Sequence, residues 1–236
     1  MRRYGIFIIG AAAAALFISL GSWQLRRLHQ RRALRARVEQ RERMDALDLA
    51  ALSEVGDSLS YRAVTVRGRY DFAHQLLVTY RVVDEITAVY VVTPLRYGDR
   101  AVLVERGWTP SADGYNAPLA ALREPDTATV TGVLVQVPGD ARPEGDAWPL
   151  HVRRDAAASL HGRFPYPLFP LVLRRTHAAG PLPMGLRLLA APQLDNGPHL
   201  SYAIQWYSFA AIAIVGPVIL FWNERKRRKG AAPRER

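Results

Sequence analysis

The chain has 236 residues, no cysteine and a formal net charge of +11 at pH 7. Without cysteine it has no disulfide framework, no CxxC redox site and no thiolate metal site. Three methionines do not supply a thioether copper site. The positive charge is concentrated beside two apolar runs, and no nucleic-acid motif is present. We therefore predict membrane lipid, and no nucleic acid, as the partner of the basic residues.

Two apolar runs predict transmembrane helices. No charged residue occurs in residues 4–25 or in residues 196–223. At about 1.5 Å per residue, a helix in either run can cross a hydrocarbon core about 30 Å thick. We predict spans at 4–25 and 198–222, followed by a basic tail at 223–236. A cleaved signal peptide is the alternative for the first run, but no small-x-small motif precedes the charges after it.

Residues 26–52 are predicted to form a helix that continues out of the first span, because they contain neither Gly nor Pro and are rich in Arg, Ala and Leu. This juxtamembrane helix would lie on lipid head groups or on the following domain. Two spans place both termini on one side of the membrane. Basic residues flank both sides almost equally, so the positive-inside rule gives only slight support to cytoplasmic termini.

Residues 56–195 are predicted to form an antiparallel β-rich domain. Segment 61–70 alternates polar and apolar residues, as a half-buried strand does. Further strands are predicted at 75–83, 88–95, 101–108, 127–137 and 169–174. Residues 97–100 predict a hairpin turn. Short strands at this spacing favour a small sheet or a partly closed barrel. The chain is thus predicted to be an α+β membrane protein whose two transmembrane helices flank this domain.

No catalytic or metal-binding motif is evident in the predicted domain. It has no GxSxG elbow. The domain has four histidines, His74, His151, His161 and His177. Their spacing is not typical of a metal site. Residues 106–110, with the sequence RGWTP, follow a predicted strand. We interpret them as a strand end at which Trp108 packs on the core or on the membrane surface, with a ligand contact as the alternative.

The most informative residues lie at the start of the second span. On a helix beginning near Pro198, the residues His199, Tyr202 and Trp206 have the spacing i, i+3 and i+7 and share one face. In the first turn of a helix, the helix dipole and the unpaired N–H groups disfavour a positive imidazole. A neutral imidazole is the form that binds a metal ion.

The chemistry of this face leaves two interpretations open. His199 is either a metal ligand with aromatic neighbours, or it forms a hydrogen bond between the helices while Tyr202 and Trp206 lie in the interfacial belt. At the exit of the first span, Trp23 and Gln24 are predicted to face the second helix. Packing and a hydrogen bond are their first expected role, and contact with a bound ligand the second.

Motifs along nearly the whole chain resemble those of the SURF1 family, the assembly factors of haem-copper cytochrome oxidases. Residues 21–28 (GSWQLRRL) are similar to GxWQxxRL, and residues 61–70 (YRAVTVRGRY) to YRPVxVxGxF. Residues 91–95 (VVTPL) and 104–110 (VERGWTP) are similar to VVTPL and VNRGWVP. Residues 196–207 (NGPHLSYAIQWY) are similar to NNHLxYAxxWF. The departures are small: Gly197-Pro198 replaces one Asn, Ala63 replaces Pro, and Glu105 replaces Asn.

The resemblance implies a multi-pass protein of a bacterial plasma membrane, with both termini cytoplasmic and the domain outside. It implies a non-enzymatic assembly factor that binds haem a transiently and assists its delivery to subunit I of cytochrome c oxidase, with haem a synthase as another partner. His199 would be the axial haem ligand, and Tyr202, Trp206, Trp23 and Gln24 would surround the haem. The alternative is a membrane scaffold that binds subunit I or haem synthase without haem.

Overall fold

The computed structural model describes residues 2–42, 44–52, 59–160, 162–190 and 197–230. The chain forms two compact units. One unit consists of Met1–Ala36 and Leu194–Arg236, and the other is Arg37–Gln193. The predicted domain boundaries at 56 and 195, and the end of the predicted basic tail at 231–236, lie outside the described residues.

The described residues include two long helices, α1 (Arg2–Glu42) and α2 (His199–Gly230). The first unit contains α2 and α1 as far as Ala36. Each contains a stretch apolar enough to cross a membrane, with a mean hydropathy of 2.1 in α1 and 1.8 in α2. Only 11% of the α1 window and 6% of the α2 window is buried within the protein. Helices surrounded by lipid show this exposure, whereas core helices of soluble proteins do not. The chain is a membrane protein, and the predicted pair of helices flanking a β-rich domain is confirmed.

The helices end at positions that differ from the prediction. α1 continues without a break beyond the first apolar run and ends at Glu42, so the prediction of helix through residue 52 is wrong at its end. Leu47–Asp48 forms a short strand, β1, and Leu49 is 1% exposed in the domain core. Burial of this leucine outweighs the helical propensity of an Ala- and Leu-rich segment. α2 continues past Asn223, so the first part of the basic tail is helical.

Within the described residues, the domain has seven further strands. They are β2 (Ala63–Tyr70), β3 (Leu76–Val83), β4 (Ile86–Tyr97), β5 (Arg100–Pro110), β6 (Thr127–Val135), β7 (Leu150–Val152) and β8 (Val172–His177). The predicted hairpin is present: Tyr97 pairs with Arg100, and Gly98 takes a φ of 57° in the turn between them. Neither β1 nor β7 was predicted, because strands of two or three residues are too short to show an alternating pattern.

Five strands close into a barrel in the order β2, β6, β8, β5, β4, and β4 pairs back with β2. β4 can close the barrel because its two halves have different neighbours. Its end pairs with β2 through Arg69–Arg96 and Tyr70–Leu95, while Ile86–Val92 pairs with β3. Three pairings are parallel, β1–β2, β3–β7 and β5–β8, and in these the domain differs from the antiparallel prediction.

Strand β5 separates two hydrophobic cores. Val102 and Val104 face the barrel interior, with β2, β4 and β6 side chains. Ala101 and Leu103 face the opposite way, into a cluster closed by β7 and by residues 156–172. Alternate residues of a strand point to opposite faces. Because both faces of β5 are covered, apolar side chains are buried along most of its length.

A buried arginine lies at a bulge in β5. Val91 pairs with Gly107 and Val92 with Glu105, so Arg106 is the extra residue. Its side chain has no exposed surface. Its Nε donates to Glu124 Oε2 at 2.7 Å, and its Nη2 donates to the Leu122 carbonyl. Glu124 also accepts from Arg175 at 2.6 Å, so one carboxylate holds two guanidinium groups.

The residues after this arginine have structural roles. Gly107 has a φ of 153°, and a Cβ there would lie 2.3 Å from the Arg187 carbonyl oxygen, so a side chain cannot be accommodated. Trp108 is 4% exposed and packs with Ala88 and Leu189. The interpretation that Trp108 packs on the core is confirmed.

Arg106→Met should destabilise the domain by about 3 kcal/mol, because it removes one of the two guanidinium partners of a buried carboxylate and leaves the Leu122 carbonyl without its donor. Arg67→Met on the exposed side of β2 is the matched control and should change stability by less than about 0.5 kcal/mol. Denaturant unfolding of the full chain in detergent, followed by tryptophan fluorescence, measures both. Equal midpoints for the two variants would contradict the structural role of Arg106.

Candidate functional site

The two membrane helices are antiparallel and pack along a heptad repeat. On each helix, the residues that face the partner helix are spaced alternately by four and by three positions. On α1 they are Gly10, Ala14, Phe17, Gly21 and Gln24, and on α2 they are His199, Ala203, Trp206, Ala210, Ala213 and Pro217. We call these residues the helix seam. An average spacing of 3.5 residues keeps one stripe of each helix against its partner.

Small residues let the helices of the seam approach closely. A Cβ on Gly10 would lie 2.7 Å from the Ala213 carbonyl oxygen, and a Cβ on Gly21 would lie 3.0 Å from the Tyr207 ring. Between the Gly10 and Gly21 contacts, the rings of Phe17 and Trp206 stack with their centroids 5.7 Å apart. Close contact through glycine is a usual way to hold membrane helices together, because lipid provides little hydrophobic drive for their association.

A proline in α2 lies opposite one of the seam glycines. Pro217 has no N–H, so the carbonyl of Ala213, four residues earlier, loses its helical hydrogen-bond donor. That same carbonyl is the one that faces Gly10. The freed carbonyl is therefore covered by α1 and kept from the lipid.

The candidate site is the end of the seam formed by His199 and Gln24. His199 is the first residue of α2, and its Nδ1 lies 2.8 Å from Gln24 Oε1. An amide oxygen only accepts, so Nδ1 is the donor, and in a neutral imidazole the lone pair is then on Nε2. The predicted hydrogen bond between the helices is thus present. It holds the imidazole in one orientation.

Nε2 of His199 lies beside a glycine. A Cβ on Gly197 would lie 3.3 Å from both Nε2 and Cδ2 of the imidazole. Gly197 also has a φ of 65°, which favours glycine. The His199 side chain is partly exposed. Glycine at position 197 therefore keeps a side chain away from the ring edge that carries Nε2.

The other predicted residues are arranged differently around His199. Tyr202 is 47% exposed and lies beside the seam, whereas Trp206 packs within it against Phe17. Trp23 is 49% exposed, which differs from the prediction that it faces α2. It follows Gly21 by two residues, or about 200° around the helix, and this turns it away from the seam.

The sequence reasoning missed a second polar contact between the helices. Ser22 Oγ lies 3.0 Å from Tyr207 Oη, and the Tyr207 ring packs against Gly21. Tyr207 follows His199 by eight residues, a spacing that places both on similar faces of a helix. That spacing was the signal available in the sequence.

Among the described residues, no three His, Asp or Glu side chains lie in positions suited to holding a metal ion. His74 instead pairs with Asp71 at 2.8 Å, and Asp71 also accepts from Tyr166 at 2.7 Å. These hydrogen bonds lower the pKa of Asp71, although its partial burial acts in the opposite direction. His161 lies outside the described residues.

The fold defines a two-span membrane protein that carries a five-stranded barrel domain between its helices, with a histidine–glutamine pair at one end of the helix seam. The model of the SURF1 family matches residues 11–211, which include most of α1, the domain and the first 13 residues of α2. The chain belongs to the SURF1 family, and the resemblance seen in its motifs is confirmed.

Relatives occur in bacteria and eukaryotes. An uncharacterized SURF1-like protein of Mycobacterium tuberculosis is 29% identical over 196 residues, covering 73% of this chain and 65% of the relative. The chain thus spans slightly less than two thirds of that relative. A SURF1-like protein of Monosiga brevicollis is 26% identical over 97% of this chain and 90% of its own length. Surfeit locus protein 1 of Rattus norvegicus is 32% identical over 41% of this chain and 37% of its own length.

Gly10→Ala should weaken the helix pair, because the added methyl would meet the Ala213 backbone oxygen at 2.7 Å. Gly5→Ala is the matched control, since nothing lies within 4 Å of a Cβ at Gly5. The chain has no native cysteine, so a cysteine pair at Ala14 and Ala210 can report the approach of the helices in membranes. Oxidative cross-linking should fall by half or more with Gly10→Ala. Equal cross-linking in the two backgrounds would show that the seam does not depend on Gly10.

Proposed function

We propose that the protein assists the assembly of haem-copper cytochrome c oxidase by binding haem a through His199 and helping its delivery to subunit I. Family membership supports the role in oxidase assembly. The observation that carries the haem proposal is the geometry of His199, which is partly exposed at the end of a membrane helix with its Nδ1 held by Gln24. We propose a carrier that performs no catalysis.

The residues present fit a haem group. When bound, haem a would supply an iron with an axial position for an imidazole nitrogen. Gln24 occupies Nδ1 and so directs Nε2 towards such a ligand, as hydrogen-bonded neighbours of metal-binding histidines commonly do. Tyr202 and Trp23 are exposed aromatic residues on helices next to this pair and offer apolar surface. Trp206 would act indirectly, by fixing α2 against Phe17.

The histidine–glutamine pair also favours a second candidate function. A hydrogen bond between two membrane helices stabilises their association without any ligand. On this alternative, His199 and Gln24 maintain a scaffold that binds oxidase subunit I or haem a synthase and never contacts haem. The two candidates differ in the pigment that purifies with the protein.

His199→Ala should abolish haem a binding, because it removes the only nitrogen proposed to reach the iron. Gln24→Leu should weaken binding about 10- to 100-fold, since it frees the imidazole from its orienting partner. His29→Ala, at an exposed position of α1, is the matched control. The Soret absorbance and haem a content of protein purified from cells that make haem a are the measurements. Unchanged haem content in His199→Ala would reject the axial ligand and favour the scaffold.

We further propose that both termini lie in the cytoplasm of a bacterium and that the domain lies outside the plasma membrane. The two candidate spans support termini on a common side, and the SURF1 resemblance supports the side chosen. Alkaline phosphatase fused at Gly139 should be active, whereas the same enzyme fused to the C-terminus should be silent. The opposite pattern of activities would reverse the orientation.

A further inference from the structure

The barrel domain contains a polar cavity that the proposed function does not use. Its volume is about 260 Å³, and strands β3, β4, β5 and β8 contribute to its wall. Four arginines line it: Arg81, Arg153, Arg154 and Arg174. We call it the arginine cavity. Two acidic residues, Glu105 and Asp155, also line it, so its charge balance depends on the protonation of these two groups.

The two acidic residues leave the cavity positively charged. Glu105 accepts two hydrogen bonds from Arg174, one of them at 3.0 Å, and these two charges compensate each other. Asp155 is buried, and burial together with the neighbouring Glu105 raises its pKa well above the usual range. A neutral Asp155 offers a hydrogen-bond donor and no compensating charge. Its Oδ2 is buried and has no hydrogen-bond partner among the described residues.

The remaining arginines are positioned by contacts that leave their charges largely uncompensated. Arg81 stacks on the Tyr90 ring at 4.8 Å, and Arg154 donates to the Pro138 carbonyl at 3.0 Å. In the part of the chain that the structure describes, neither has a carboxylate partner. Arg153 lies 3.7 Å from Glu144, in an exposed pair that contributes little compensation.

We propose that the arginine cavity binds a phosphate group. Guanidinium groups bind phosphate oxygens through paired hydrogen bonds. Two uncompensated arginines match the charge of a phosphate monoester, about −1.5 to −2 at neutral pH. A neutral Asp155 does not repel an anion, as an ionised carboxylate would. The phosphate would belong to a soluble ester or to a phospholipid head group, and the proposal is independent of haem binding.

Titration calorimetry of the full chain in detergent, with inorganic phosphate as the probe, tests the site. Wild-type protein should bind phosphate saturably. Arg154→Gln and Arg81→Gln should each weaken binding about tenfold or more, the loss expected from one charge-assisted hydrogen bond. Arg67→Gln makes the same charge change on exposed β2 and should not alter binding. No saturable binding at millimolar phosphate, or equal affinity in all four proteins, would overturn the proposal.

Two further measurements are needed. One identifies the source of the phosphate, and the other tests whether the variants remain folded. Glycerol 3-phosphate and dibutyryl phosphatidic acid carry the same group without and with acyl chains. Tighter binding of the lipid, lost in Arg154→Gln, identifies a head group, whereas equal binding identifies a soluble ester.

Arg154 is exposed, so its variant should keep the wild-type unfolding temperature. Asp155→Asn should retain phosphate binding, because it keeps a neutral donor; loss of binding in a folded Asp155→Asn protein would count against the site.

Discussion

The close approach of the two membrane helices is the constraint on which the candidate site depends. Gln24 and His199 are 175 positions apart in the sequence, and their side chains meet at 2.8 Å only because the helix backbones lie near each other. Small residues along the seam, above all Gly10 and Gly21, allow this close approach. Packing between the helices thus orients the imidazole of His199.

The barrel domain depends on a polar interaction within a largely apolar interior. Arg106 interrupts β5 with a bulge, and Glu124 holds both this arginine and Arg175. Such a buried group contributes less to net stability than apolar packing would, but it fixes the position of every partner it bonds. The segment that contains Leu122 and Glu124 is thereby held against the sheet without a strand of its own.

Much of the fold could be predicted from the sequence because periodicity records which faces are buried. The two spans, the six longer strands and the turn at Gly98 follow from local patterns. Barrel closure could not be derived in this way, because it depends on pairing between distant parts of β2 and β4. At the site, spacing brought out His199, but the outward direction of Trp23 is fixed by the rotation of α1 in the seam.

Pro217 and Gly10 are related by more than contact. The proline frees a carbonyl in one helix, and the glycine in the other is small enough to cover it. In a homologous chain without this proline, the carbonyl at position 213 would accept its ordinary helical hydrogen bond. A residue larger than glycine at position 10 would then push against a carbonyl that already has its own donor. Positions 10 and 217 should accordingly covary among homologous chains. Their covariation would indicate the pairing of the helices even where overall identity is low.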